Sequence, residues 1–268
     1  MKAGFINYSN SYPFLSAIEE KDIEGLVIES HIPATLNKKL SLGELDTSAV
    51  SLFEFLKNED QYLLMPNWCI NSRGHVRSVL LFSKFHFSEL NHKRILLCSE
   101  SATSNNLLKL LLAHENITPS ELKVKTPEDT PNQWDAILLI GDPALKFDSA
   151  NHPHITDLAQ AWVDWTKGPV VFAVQAIRKD AFDGNQLILK TISNTLETVQ
   201  NKIKNNLDLV CQDLKQAFPQ METDFIDYFK CLDFQLDSAC LEAIHRYASE
   251  SIKINTLEKK PQLNFAEL

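Results

Sequence analysis

The feature that most limits what this chain can fold into is a regular alternation, running through Ile177, of short apolar runs with helix-forming stretches. Residues 3–6 make one apolar run, 12–20 carry a helical pattern, and 26–32 make a second run. Pro33 suits the first position of a helix, Leu36 and Leu40 fall on one of its faces, and Gly43 stops it before a third run at 47–50. A strand that reaches its neighbour through a helix crosses over the sheet, so this order predicts a parallel sheet.

Residues 65–74, marked by Pro, Asn and Gly, read as a connection. A strong strand candidate at 76–83 then leads into a second α/β segment, with elements at 95–98, 104–114, 122–124 and 136–140. Another apolar strand occupies 170–177. Beyond it the pattern turns helical: Ile188, Ile192, Leu196, Val199, Ile203 and Leu207 lie on one stripe. Residues 225–229, and then Leu241, Ile244 and Tyr247, mark two further helices, and 258–268 read as a loosely held tail. Two α/β blocks and a helical C-terminal region suit an α/β protein of two lobes. Residues 1–78 and 174–268 make the first lobe and 79–173 the second, with crossings near Ser78 and Val174. Small ligands bind such folds in the interlobe cleft.

Composition removes several classes of function. A net charge of −9 makes nucleic acid or an anionic membrane surface a poor partner. No apolar stretch approaches the roughly 20 residues that span a bilayer, and residues 1–13 show no secretory pattern, so a cytoplasmic location is expected. Five cysteines, widely spaced and without a CxxC pair, read as small buried hydrophobes. Neither GxGxxG nor GxxxxGK[ST] occurs, the eight histidines include no HExxH, and no GxSxG is present. No metal or cofactor is expected.

Three polar loops between an apolar run and a helix could carry chemistry. In 7–13, Asn10 could both donate to and accept from a substrate hydroxyl or carboxylate. The competing reading is that Asn10 or Ser11 caps the helix. In 99–104, Ser101, Thr103 and Ser104 with the helix N-terminal amides suit a carboxylate, or Ser101 or Thr103 serves only as a cap. In 140–145, Asp142 either orients a ligand or precedes an N1 proline as a cap. His152 and His154 read as loop residues.

Gly4-Phe5-Ile6 through Asn10 and Pro13, Gly43-Glu44-Leu45-Asp46, Gly74-His75-Val76-Arg77-Ser78-Val79 and Thr103-Ser104 follow one another in a telling order. Ile140-Gly141-Asp142, Asp157-Leu158 with Trp162, Val171-Phe172-Ala173-Val174 and Tyr228 through Phe234 continue it. In this order the chain resembles the chorismate dehydratases of the futalosine route to menaquinone, the MqnA family. The resemblance implies a fold like a type II periplasmic binding protein. It also implies loss of water from chorismate, without a cofactor, to give 3-[(1-carboxyvinyl)oxy]benzoate. The functional positions it marks are Asn10 and Ser78; Ser101, Thr103, Ser104 and Asp142, from the polar loops above, are expected around the substrate. The chain departs from the family pattern at Ser9, Tyr12, Ala102, Pro143 and Gln175. Two alternatives are the sibling synthase of 1,4-dihydroxy-6-naphthoate, whose Pro-Asn-Asp opening is not seen near the N-terminus, and a non-catalytic solute-binding protein.

Overall fold

The structure is a computed structural model that describes residues 1–126 and 128–268. Strands β1 (Lys2–Ile6), β2 (Val27–His31) and β3 (Thr47–Ser51) alternate with helices α1 (Tyr12–Glu20), α2 (Pro33–Ser41) and α3 (Leu52–Lys57), as the periodicity predicts. A long strand β4 (Tyr62–Ser72) follows, and then the second block. This block contains β5 (Val79–Ser83), β6 (Arg94–Leu97), α4 (Ala102–His114), β7 (Glu121–Val124), β8 (Ala136–Ile140), α5 (Gly141–Lys146), β9 (His154–Asp157) and α6 (Leu158–Thr166). Strand β10 (Val170–Arg178) and helices α7 (Gln186–Asn205), α8 (Leu207–Ala217), α9 (Phe225–Phe229) and α10 (Ser238–Lys253) complete the chain.

The strands form two five-stranded sheets, ordered β2-β1-β3-β10-β4 and β7-β6-β8-β5-β9. The chain therefore leaves the first sheet after Ser72 and returns to it at Val170, so Val170 to Ala173, expected in the second lobe, pair in the first sheet. Both sheets are mixed rather than purely parallel. β1 runs parallel to β2 and β3, and β6 parallel to β7 and β8. The strand entered after each crossing is the antiparallel one: β10 opposes β3 and β4, and β5 opposes β8 and β9. A strand that arrives from the other sheet is not bound to the direction that a helical crossover imposes.

Three elements differ from the sequence reading. The stretch at 65–74 belongs mostly to β4, the longest strand. Met65-Pro66-Asn67 hides it, because Pro66 has no N–H to donate and Asn67 adopts a left-handed φ of 63°. Both are tolerated because β4 is an edge strand, paired only with β10 within the sheet, with register shifts along the pair. The tail is held: Leu64 accepts from the Ala266 amide at 3.0 Å and donates to the Asn264 carbonyl at 2.7 Å, and Leu257 and Ala266 are buried. His154 opens β9, whereas His152 lies in the loop before it, as expected, fully buried with its Nε2 3.2 Å from the Trp134 carbonyl.

The predicted C-terminal stripe is α7 as far as Ile203, with Ile192, Leu196 and Val199 buried; Asn206 breaks the helix, and Leu207 begins α8. Four cysteines are buried and Cys231 is half-buried, all as free thiols. One hydrophobic core runs through both sheets, from Phe5 and Val50 through Leu81 and Leu138 to Ile244. Among the described residues no helix is long and apolar enough to cross a membrane.

Candidate active site

The β1–α1 loop of the first sheet and the β6–α4 loop of the second face each other across a cleft. A cavity between them is lined by Tyr8, Asn10, Ser78, Ser101, Ser104 and Gly141, with apolar walls from Ile70, Phe172 and Leu232 among others. Phe172 and Ala173 both line it although they are consecutive in a strand, where neighbours normally point to opposite faces. The register shift between Val171 and Ala173 accounts for this.

Asn10 is 8% exposed and does not cap α1. Ser11 is the N-cap residue, its backbone is helical, and neither side chain accepts from a first-turn amide. The Asn10 Oδ1 instead accepts from Ser11 Oγ at 3.1 Å, which leaves Nδ2 to donate. Ser78 stands at the first crossing and is held at both ends. Its carbonyl accepts from the Gly141 amide at 2.8 Å, and just before it the amides of Val76 and Arg77 donate to Asp157 Oδ2 at 2.9 and 2.8 Å. Asp157 also caps α6 through Oδ1, so one part-buried carboxylate fixes both the helix and the crossing. Arg77 takes a left-handed φ of 60° there, which turns the chain so that Ser78 meets the cavity.

Ser101 and Ser104 join Asn10 and Ser78 in the cavity wall. Ser101 caps α4, accepting from the Ser104 amide at 3.1 Å, and the two hydroxyls lie 3.1 Å apart, so capping and a place in the cavity coexist. Thr103 is turned away. Its hydroxyl donates to the Phe172 carbonyl at 3.0 Å and accepts from the Phe53 amide at 3.1 Å, tying α4 to the first sheet. Asp142 is likewise taken up by protein: it accepts from Ser9 Oγ at 2.6 Å and from the Ser9 amide at 3.2 Å. It does not cap α5, whose N-cap is Ile140.

Tyr8, which sequence reasoning missed, forms the second tie across the cleft by donating to the Glu100 carboxylate. Burial, reinforced by that hydrogen bond and charge, pushes the Tyr8 pKa far above the ordinary tyrosine value, so it remains a neutral donor. Its ring lies against Gly141, where a Cβ would come within 2.6 Å of ring carbons. Gly141 also has a φ of +58°, so both backbone and space call for glycine. Glu100 and Asp142 therefore direct lone pairs at Tyr8 and Ser9. Among the described residues no lysine, arginine or histidine lines the cavity, so an anion there would be met by hydroxyls and the Asn10 amide.

The departures from the family pattern lie mostly off this wall. Ala102 opens onto an outer groove with Lys38 and Glu54. Pro143 is exposed. Gln175 is buried within the first sheet and donates to Thr47 Oγ1 at 2.9 Å. Tyr12 packs edge-on against Phe218, with ring centroids 5.3 Å apart.

A family model described as menaquinone biosynthesis matches residues 1–251. The chain belongs to this menaquinone-biosynthesis family. Within 193 aligned residues it is 34% identical to a chorismate dehydratase of Thermus thermophilus, covering 66% of this chain and 69% of that protein. In structure, this family member resembles the alkanesulfonate-binding protein SsuA of Xanthomonas axonopodis pv. citri, with a TM-score of 0.71 at 14% identity, over 98% of this chain and 96% of that one. It also resembles the Candida albicans CA3427 product, described as having the generic periplasmic binding protein fold, with a TM-score of 0.63 at 12% identity, over 100% of this chain and 97% of the other. At these identities the two structures establish the fold alone. The two-lobed, periplasmic-binding-protein-like architecture expected from sequence is the one found.

Proposed function

We propose that this chain is a cytoplasmic chorismate dehydratase of menaquinone biosynthesis, which removes water from chorismate to give 3-[(1-carboxyvinyl)oxy]benzoate. The observation that carries this reading is the convergence of Asn10 and Ser78, on loops distant in sequence, upon one largely apolar cavity in a member of this family. The reaction takes a hydroxyl from one ring carbon and a proton from its neighbour, and the product ring becomes aromatic. Because aromatisation favours the product, the protein's task is mainly to hold the substrate in one pose and assist departure of the hydroxyl.

In this scheme Ser78 hydrogen-bonds the departing hydroxyl and Asn10 fixes the polar groups beside it. The hydroxyls of Ser101 and Ser104 hold a carboxylate. Thr103 and Asp142 act indirectly, since their hydrogen bonds hold the two lobes in register around the substrate. The apolar wall of Ile70, Phe172 and Leu232 excludes water and strengthens each of these contacts.

Purified protein incubated with chorismate, in buffer containing a chelator, is expected to form 3-[(1-carboxyvinyl)oxy]benzoate, detected by mass spectrometry. Unchanged chorismate at high protein concentration would refute the reading and leave a binding protein as the alternative.

A further inference from the structure

Behind the cavity wall lies a tyrosine that the scheme above does not use. Tyr228 belongs to the short helix α9, capped by Asp224, and is 1% exposed. Its ring packs edge-on against Phe229, with centroids 5.8 Å apart. Among the described residues its hydroxyl has no hydrogen-bond partner of good geometry, although buried hydroxyls are nearly always paired. Geometry places α9 against the first crossing: Arg77, next to Ser78, pairs with Asp227, next to Tyr228, at 3.7 Å, and Leu232, one turn beyond Tyr228, lines the cavity together with Asn10 and Ser78. Burial pushes the Tyr228 pKa well above the ordinary tyrosine value, and Ser78 and Asn10 pull it the other way. The phenol stays protonated and has one proton to give.

Both neighbours can receive it into a network. Ser78 Oγ donates only weakly within the protein, to the Val76 carbonyl at 3.4 Å. Asn10 accepts from Ser11 through Oδ1, so its Nδ2 is the donor that remains. We propose that Tyr228 is a positioning residue for the dehydration: its O–H donates to Ser78 Oγ and its oxygen accepts from Asn10 Nδ2, which directs the Ser78 proton into the cavity. The inference rests on Asn10 and Ser78 being the reacting pair. It places the α9 segment, remote in sequence from both loops, behind the reaction centre as the part that sets their orientation.

Tyr228→Phe removes one oxygen and keeps the ring, so packing is preserved. With chorismate as substrate, kcat is expected to fall about tenfold while KM changes less than about twofold, the split expected for a group acting mainly in the transition state. An unchanged kcat would overturn the proposal, because a ring that only fills space predicts that result. In a Ser78→Ala background, measured by product accumulation at high enzyme concentration, Tyr228→Phe should cause no further loss, since a residue acting through Ser78 is not additive with its removal. A further loss of about tenfold there would equally overturn it. Failure of the underlying site reading looks different: Ser78→Ala and Asn10→Ala would then turn over at the wild-type rate, and both ideas would fall. If those two variants are impaired and Tyr228→Phe is not, only the present inference falls.

Discussion

The β1–α1 loop and the β6–α4 loop have the same grammar, an apolar strand followed by a polar run and then a helix, yet they use their polar side chains differently. In the second, Ser101 accepts from the Ser104 amide and caps its helix. In the first, Ser11 occupies the cap position but its side chain accepts from no helix amide, donating instead to Asn10 Oδ1, and the Asn10 Nδ2 remains a donor. A cap is worth about 1 kcal/mol, so a helix that forgoes one gives up stability that the same residues could have supplied. The uncapped loop is the one whose side chain remains available for chemistry, and the capped loop supplies a fixed cradle. Tyr8 donating to Glu100 ties the two loops together, and Ser9 donating to Asp142 ties the first loop to the start of α5.

The contrast predicts unequal responses to mutation. Asn10→Ala and Ser78→Ala should each lower kcat by about 100-fold or more, the scale seen when one aligned donor is lost from an active site, with circular dichroism unchanged. Wild-type turnover in both would remove the chemical role from the first loop. Gly141→Ala should come next. It places a methyl against the Tyr8 ring at a left-handed φ, and should cost roughly 1–3 kcal/mol. A thermal melt should show the loss, and KM should rise as the Tyr8 tie is displaced.

Ser101→Ala tests the capped loop. It should cost about 1 kcal/mol and raise KM severalfold while kcat changes little. A collapse of kcat with unchanged KM would instead give this loop the chemical role. The smallest effect is expected for Ala102→Arg. The side chain would enter the outer groove with Lys38 and Glu54 rather than the cavity, so KM should stay within about twofold, as for other exposed changes. A large fall in KM would show that position 102 does reach the substrate.

Most of the architecture was legible because periodicity and punctuation agree: β1 to β3 and α1 to α3 follow from apolar spacing, Pro33 and Gly43. What escaped had a physical reason. β4 is interrupted by Pro66 and Asn67, which only an edge strand accommodates. The held tail depends on pairing with Leu64, some 200 residues earlier in the chain, and no local signal reports that. At the site, Asn10 and Ser78 came from ordered resemblance, since local grammar favours a cap at Asn10. Thr103 reads as well as Ser104 in sequence, but one helical step turns its hydroxyl toward Phe172. Tyr8 and Tyr228 are aromatic residues that sequence cannot distinguish from core, because their value lies in where a hydroxyl points after folding.

The central claim, that the cleft between the two sheets is where chorismate reacts, is tested most directly by a crystal structure with 3-[(1-carboxyvinyl)oxy]benzoate bound. The account predicts the ring between Asn10 and Ser78 with a carboxylate at Ser101 and Ser104. Product seated instead in the surface groove lined by Gln200, Lys204 and Lys230, with the cleft empty, would contradict it.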